Sequence, residues 1–287
     1  MSVTVDSVID KVQITLQDTT GVRWPESELV SWVNDAQREI ALLKPDASAV
    51  NANVTLAEGT LQTIPSDGNR LLKVIRNTDA DGKGQRSIRL VKQEVLDSQT
   101  PSWHDENVTG EAAHSTEVKH YVYNEENPRN YYVYPGADGA AVKIDIIYSA
   151  NPATVITGAP AAAWAAGVYT YSAGAGSEIY VEYNQLKYKL ILTTTADAED
   201  GPGGTDSATH WQLVGRVYLA VPDIYANAVM NYVLYMAYMK DADFAANAQR
   251  ASTHYQLFNA TVMGKTNTDE STSPNQKANP QSPMVGA

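Results

Sequence analysis

The sequence contains no cysteine, and positive charge is scarce, since 21 Lys and Arg stand against 33 Asp and Glu for a formal net charge of −12. The lack of cysteine excludes thiol catalysis, Cys-ligated zinc, iron–sulfur clusters and disulfides. The scarcity of cations excludes a non-specific nucleic-acid binder, because neutralising phosphates requires clustered Lys and Arg. Phenylalanine is also rare, at two against 17 tyrosines. Tyrosine buries its ring while its hydroxyl stays wet, so this ratio favours half-buried surfaces and interfaces.

No long hydrophobic run is present either. The longest apolar stretch, residues 224–239, is interrupted by Asn227 and Asn231, whereas a membrane-spanning helix needs about 20 apolar residues. The first six residues lack the basic start and apolar stretch of a secretory signal peptide. We therefore expect no contact with a membrane. The length of 287 residues allows one or two domains.

Apolar residues at helical spacing predict two helices at the start of the chain. The first covers residues 5–18, where positions 5, 8, 9, 12 and 16 share one face, and the sequence Thr-Thr-Gly then interrupts it. The second covers residues 25–43, because Pro25 suits a first helical turn and Lys44-Pro45 suits an end. We expect these helices to form a short antiparallel hairpin.

From residue 50 the apolar period changes from helical spacing to two, which is typical of half-buried strands. Turn sequences rich in Pro, Gly, Asn and Asp separate the strands from one another. Short strands of this kind indicate a small antiparallel sandwich or barrel. The predicted strands cover residues 50–56, 61–64, 71–76, 87–91, 119–123, 131–134 and 142–148.

Residues 156–216 differ from both of their flanks, because they combine small residues with many aromatic rings. Strand periodicity is clear at residues 179–183 and 187–193. We expect a small β module that is inserted between the sheet region and the last helix.

A long helix is expected over residues 222–263. Its first part is apolar on nearly every side, which indicates that neighbours cover several of its faces. Gly264 suits the end of this helix. Residues 266–287 carry almost no large apolar side chains, so we expect an extended tail that does not order alone.

These elements predict an α+β fold with an inserted module. The N-terminal helix hairpin, the small antiparallel β-sandwich or barrel and the long C-terminal helix would form one core from residues 1–155 and 217–265. The inserted β module would cover residues 156–216, and the extended tail residues 266–287.

Sequence motifs for catalysis or metal binding are weak. His104, Asp105, Glu106 and His114 form the densest group of possible ligands, but they lack metal-site spacing and lie in a segment of loop composition. Residues 79–84 resemble the start of a calcium loop, yet the twelfth position lacks the required Glu, so a hairpin turn is expected. We therefore expect no catalytic residue, no metal and no cofactor, and we do not expect an enzyme.

Three stretches carry a resemblance to a known family. They are residues 24–40, from Trp-Pro-Glu-Ser-Glu to Gln-Arg-Glu-Ile; residues 127–135, Asn-Pro-Arg-Asn-Tyr-Tyr-Val-Tyr-Pro, a strand that ends in a turn; and residues 221–258, from Val-Pro-Asp-Ile-Tyr to His-Tyr-Gln-Leu-Phe. In this content and order the chain resembles the head-to-tail adaptor (head–tail connector) proteins of tailed bacteriophages.

The resemblance implies a structural virion protein of the neck and tail region, made in the host cytoplasm. Such proteins assemble with themselves into a ring, typically a dodecamer, that joins the portal protein to a tail tube or nozzle protein. DNA passes through the lumen of the ring without specific binding. Twelve copies would carry a charge of about −144, which would repel phosphate if part of it lined the lumen. The alternative is that the charge serves solubility alone.

Two sets of side chains are candidates for such contacts. The apolar start of the long helix offers an oligomer interface, and the polar tail offers a portal-binding segment, because relatives commonly extend this segment onto the portal. The interface candidates are Tyr225, Tyr232, Tyr235, Met236 and Met239. The portal-binding candidates are Thr266, Asp269, Glu270, Lys277, Met284 and Val285.

The inserted module has a resemblance of its own. The order of its Trp, Tyr and Gly residues is similar to that of small chitin-binding-type carbohydrate modules, although Asn184-Gln185 replaces the tighter Asn-Gly turn. This similarity implies an alternative function, a carbohydrate-binding virion or host-recognition protein whose partner is a polysaccharide. The competing interpretation is that the same rings form the core of the module. The possible sugar-binding residues are Trp164, Tyr169, Tyr171, Tyr183, Tyr188 and Trp211.

Overall fold

The computed structural model describes residues 2–105, 109–110, 113–139, 141–171, 178–196, 201–202, 204, 207–241 and 245–272. The chain forms two compact units. One is Lys44–Asn151, and the other combines Met1–Leu43 with Pro152–Ala287. Helices occur together with mainly antiparallel sheets, so the predicted α+β class is confirmed.

Two helices begin the chain, as predicted: α1 (Val5–Leu16) and α2 (Glu26–Leu43). The Thr4 hydroxyl caps α1 by accepting the N–H of Ser7. Asp18 fixes the turn between the helices, because its carboxylate accepts a backbone N–H from each of residues 22–24. These hydrogen bonds, first that of Trp24, hold the pKa of Asp18 below its usual value.

The Lys44–Asn151 unit is a β-sandwich. Its two four-stranded sheets have the orders β1-β8-β3-β4 and β2-β7-β6-β5, and β5–β6 is a parallel pair. Val133, Ile144 and Ile146 are fully buried in the apolar core that both sheets share. The strands are β1 (Ala49–Thr55), β2 (Gly59–Thr63), β3 (Gly68–Thr78), β4 (Gly84–Ser87), β5 (Arg89–Leu90), β6 (His120–Tyr123), β7 (Asn130–Ala137) and β8 (Lys143–Ala150).

Each predicted strand has a counterpart in the sandwich, but two details differ from expectation. The short helix α3 (Gln93–Gln99) was not predicted, because its only apolar residues are the adjacent Val95 and Leu96, which show no helical spacing. The predicted turn at Pro135 is wrong, since β7 continues to Ala137. Its last residues find partners, because the carbonyl of Gly136 accepts the N–H of Ser115 and Ala137 pairs with Gly59.

The region predicted as an inserted module is rich in short strands. One sheet has the order β14-β12-β11-β9, and β10 pairs with β13. Val181, Leu190 and Trp211 form a small buried core. The elements are β9 (Ala162–Ala163), β10 (Gly167–Tyr169), β11 (Tyr180–Tyr183), β12 (Leu186–Leu190), β13 (Thr194–Ala196), α4 (Ser207–His210) and β14 (Trp211–Gly215).

The two chain segments that enter and leave this module run side by side. The N–H of Ile156 donates to the carbonyl of Arg216 at 2.8 Å, and Val155 forms a β-bridge with the same residue. We call the two segments, 153–158 and 215–220, the stem. The two ends of the module therefore lie close together.

The C-terminal region holds two helices where one was predicted over 222–263. A 3₁₀ turn, Asp223–Tyr225, leads into α5 (Ala226–Lys240), and the second helix is α6 (Ala245–Thr272). The predicted stop at Gly264 is also wrong, and the extended tail cannot begin at residue 266. Beyond Gly264 the ion pair of Lys265 with Asp269, one turn apart, supports the helix. The Thr266 and Thr268 hydroxyls satisfy themselves within the helix by donating to carbonyls one turn back.

Candidate assembly surfaces

The two last helices, α5 and α6, pack against each other in antiparallel fashion through aromatic rings. Tyr238 stacks on His254 at 5.6 Å between centroids, Tyr235 lies 4.9 Å from Tyr255, and Tyr232 lies 5.2 Å from Phe258. Residue numbers rise along α6 as they fall along α5, so the chain turns back on itself. Helix α5 also packs against α1 and α2. The prediction that several neighbours cover this apolar helix is confirmed.

Helix α6 buries a narrow seam against α5. Ala251, Phe258 and Val262 on this seam are fully buried, at the spacing of seven and four that one helix face requires. His254 lies beside the seam, where its Nδ1 is 2.9 Å from Oδ1 of Asn231. Burial lowers the pKa of His254, so the neutral imidazole is favoured at this contact.

The predicted interface residues differ in how far they are accessible. Tyr225 is 2% exposed and lies in the core of its own chain. Tyr232, Tyr235 and Met236 are half-buried, and Met239 is 46% exposed. Burial, together with the nearby carboxylates of Glu39 and Asp35 on α2, raises the pKa of Tyr232. A partner could therefore reach Met239 and the outer edges of Tyr232, Tyr235 and Met236.

The opposite side of α6 forms an exposed surface that was not predicted from the sequence. No Lys, Arg, Asp or Glu occurs between Arg250 and Lys265, and Leu257 and Met263 are about half exposed. The sequence feature that could have predicted this surface is the absence of charge over fourteen helical residues. We define the neutral α6 face as the exposed residues Gln256, Leu257, Ala260 and Met263.

The predicted portal-binding residues divide into two groups. Thr266 and Asp269 lie in α6, where the Thr266 hydroxyl donates to the Val262 carbonyl at 3.2 Å and Asp269 pairs with Lys265. Glu270 also falls within α6. The remaining candidates, Lys277, Met284 and Val285, lie outside the described residues.

Most aromatic rings of the module pack on one another. Tyr169 meets Trp211 edge-on at 5.2 Å, and Trp164 meets Tyr183 in the same manner at 5.9 Å. Trp164, Tyr169 and Tyr188 pack against the buried core of the module, which includes Trp211. Tyr171 differs from the others, because it is 42% exposed. Among the six possible sugar-binding residues, Tyr171 is thus the ring that a ligand reaches most easily.

The polar cluster predicted around His104 does not form a ligand set in the described residues. His104 lies on the Trp103 ring and its Nδ1 is 2.9 Å from the Thr60 hydroxyl. His114 packs against Gly136 instead, while Glu106 lies outside the described residues. No group of three or more His, Asp or Glu side chains that could hold a metal ion occurs within the described ranges.

The segment resembling a calcium loop is a hairpin turn, as expected. The N–H of Gly82 donates to the carbonyl of Asp79, and the N–H of Lys83 donates to the Asp79 carboxylate at 2.7 Å. The Asp79 carboxylate is therefore used to fix the turn between β3 and β4.

Two buried amides on α2 hold the stem, which was also not predicted from the sequence. Asn34 donates to the Val155 carbonyl and accepts the Val155 N–H, and Gln37 accepts the Ala220 N–H at 2.5 Å. Both strands of the stem are thereby tied to α2. The sequence feature that could have predicted this contact is a pair of amides, three positions apart, within the apolar stripe of a helix.

The described residues form surfaces on which other proteins could pack. None of the described helices is long and apolar enough to cross a membrane. The family model of the SU10 adaptor protein matches residues 3–184 and 188–278. The chain therefore belongs to the SU10 adaptor protein family, and is a structural adaptor of the bacteriophage virion. The match includes nearly all of the module. No curated protein matches the chain.

Proposed function

We propose that this adaptor forms a ring, with twelve copies in the closed form, that joins the portal protein to the tail tube or nozzle protein and leaves a channel for DNA. The observation that carries the proposal is the neutral α6 face, together with the exposed Met239 on the neighbouring helix α5. Each copy carries a net charge of −12, so identical copies repel one another, and a contact between them costs least where the surface carries no charge. The neutral α6 face is exposed and uncharged and lies on a helix that packs against α5, so it offers such a contact.

The same charge supports passage of DNA without binding. Carboxylates that line the lumen would repel phosphates, and little counterion release would be available to hold the duplex. In this arrangement the DNA slides through the ring during ejection.

The ring is tested by native mass spectrometry and negative-stain imaging of the full chain, alone and with its portal. Met239→Asp and Leu257→Asp place a carboxylate on exposed positions of the proposed interface, so the monomer should fold and the rings should be lost. Leu42→Asp is the matched control, because Leu42 is 74% exposed on α2 and is not one of the residues of the proposed interface. Rings that persist in both interface variants would contradict the proposal.

The proposed portal contact is made by the last residues of the chain. Because α6 continues to Thr272, the informative truncation removes residues 273–287, which include Lys277, Met284 and Val285. Rings should remain, and attachment to the portal should weaken, because many tails act together in a ring. Unchanged portal attachment by the truncated protein would contradict this assignment.

The module is proposed to lie outside the DNA path as a separable part. Because Ile156 and Arg216 are joined by a backbone hydrogen bond, a short glycine linker can replace residues 157–215. The shortened chain should fold and form rings. Failure to fold would mean that the module is part of the main architecture, whereas folded but unassembled protein would place the module in the ring contact.

A further inference from the structure

The open edges of the sandwich sheets are not alike. Natural proteins blunt edge strands with short length, bulges or charge, because an open edge can pair with another chain. Edge strand β2 has a bulge, and the Gln62 side chain folds back onto the Ala57 backbone. Strand β4 has four residues, including Arg86, and pairs with β3 through an irregular register, while β5 has two residues, of which one is Arg89. All three edges are blunted.

Strand β1 lacks these protections. Its seven residues pair with β8 in an unbroken register, from Ala49 with Ser149 to Thr55 with Lys143. The sequence from Ala47 to Ala57 contains no charged residue and no proline. Five of the seven strand residues are exposed, and no strand in the described part of the chain pairs with the outer side of β1.

The outer side of β1 presents a regular row of hydrogen-bonding groups. Just beyond the strand, the N–H of Leu56 donates to Val142, on the β8 side. Because backbone groups alternate along a strand, the N–H and C=O groups of Asn51, Asn53 and Thr55 point to the open edge.

We infer that this edge pairs with β1 of a second copy, antiparallel and centred on Ala52. The sequence of residues 50–54, Val-Asn-Ala-Asn-Val, reads the same in both directions. About this centre Asn51 lies opposite Asn53 of the second copy, and both residues have outward backbone groups, as a hydrogen-bonded pair requires. Val50 lies opposite Val54, so apolar side chains meet on one face of the joined sheet.

The side chains on the other face complement each other as well. The Asn53 amide nitrogen donates to Thr78 at 2.7 Å and to Asp145 at 2.8 Å, which fixes the orientation of the amide. Its carbonyl oxygen then remains to accept a hydrogen bond from Asn51 of the second copy. The lack of charge on β1 also favours a second copy as the partner. Two chains that each carry a net charge of −12 can approach closely at an uncharged edge.

This pairing does not depend on the proposed ring. A pair about a twofold axis is isologous and closes on itself, whereas a ring is built from heterologous contacts. The β1 pair therefore describes a dimer of the free protein, in which the edge is covered before the portal and tail are met.

The test uses the absence of natural cysteine in the full-length chain. Facing residues of a non-hydrogen-bonded pair have Cα atoms about 4.5 Å apart, within reach of a disulfide. Ala52→Cys should therefore crosslink rapidly into a covalent dimer under mild oxidation. Thr55→Cys is the control, because the two copies of residue 55 would lie about 20 Å apart in this register. Equal rates for the two variants, or no crosslink at Ala52→Cys, would overturn the inference.

Sedimentation velocity of the full chain supplies a second measurement. The unmodified protein should dimerise, and Asn51→Lys should raise the dissociation constant by at least about tenfold, because lysine blunts an edge strand. Gln85→Lys, on the opposite edge of the same sheet, should leave dimerisation unchanged.

A ring does not disturb the crosslinking result, since heterologous contacts bring Ala52 next to a different residue. Loss of portal binding in Asn51→Lys without any dimer to lose would assign the edge to another protein and overturn the choice of partner.

Discussion

The sandwich and the module are both built from short strands around an apolar core, but they bury that core in different ways. Two four-stranded sheets of the sandwich enclose a continuous, mainly aliphatic core that includes Val133, Ile144 and Ile146. The module buries Val181, Leu190 and Trp211 and completes its core with half-buried rings. Small domains expose a larger fraction of their surface, so wide aromatic rings replace the missing second layer. The comparison indicates that the stability of the sandwich comes from the core buried between its two sheets. The stability of the module comes from a few large side chains and from its stem.

The largest effect should come from removing a core side chain in each region. Ile144→Ala leaves a cavity at a fully buried position and should lower the free energy of unfolding of the sandwich by about 2–5 kcal/mol. Trp211→Ala should disorder the module and leave the sandwich transition unchanged. Urea unfolding, combined with hydrogen exchange of each region, measures both. If Trp211→Ala lowers the sandwich transition as much as Ile144→Ala does, the two cores are not independent.

A smaller effect is expected where the stem meets α2. Asn34→Ala removes a buried amide and leaves the N–H and C=O of Val155 without that partner, which should cost about 1–3 kcal/mol. Faster hydrogen exchange at Val155 and an unchanged sandwich core would identify the loss with the stem. Arg38→Ala on the exposed side of α2 is the control and should change stability by less than about 0.5 kcal/mol. No change in exchange at Val155 would show that the amide is not what holds the stem.

The sequence predicts the elements of this fold well where the pattern is local. Alternation in the strands and the apolar stripes of α1 and α2 depend on neighbours in sequence, so both were predicted. The end of α5 at Lys240 was not, because the alanine-rich sequence that follows suits a continuous helix. The choice of a sandwich over a barrel depends on which strands pair across the chain, and no local pattern contains that information.

The candidate surfaces are predictable in a similar, partial way. An all-round apolar helix indicates that several neighbours are present, but it does not tell a neighbour in the same chain from one in another copy. Tyr225 is covered by its own chain and Met239 is not, although the two have the same apolar character in the sequence. Exposure of Tyr171 among six aromatic residues likewise depends on tertiary packing.

Acidification should weaken the sandwich by a moderate amount. Burial lowers the pKa values of His104 and His120 from 6.5, and Arg86, Arg89 and Lys119 lower that of His120 further, whereas Asp97 opposes the shift at His104. The folded sandwich thus favours neutral imidazoles. Their contribution to stability is complete above pH 6.5 and is lost as the pH falls through the lowered values.

Urea midpoints of the sandwich transition between pH 7.5 and pH 5 measure this loss. His120→Gln removes one of the titrating groups, so its midpoint should fall less steeply than that of the unmodified protein. Equal slopes for the two proteins would exclude His120 as a source of the acid sensitivity.

The smallest effect on folding is expected at Tyr171, and it separates the two roles of aromatic rings in the module. Because this ring is 42% exposed, Tyr171→Ala should change stability by less than about 0.5 kcal/mol. A sugar ring stacks on an accessible aromatic face, so retention on a chitin column should be lost in Tyr171→Ala while the module stays folded. Trp211→Ala would lose retention only through unfolding, which near-ultraviolet circular dichroism detects. If the unmodified chain passes through the column without delay, the carbohydrate-binding alternative is wrong and the rings serve the core alone.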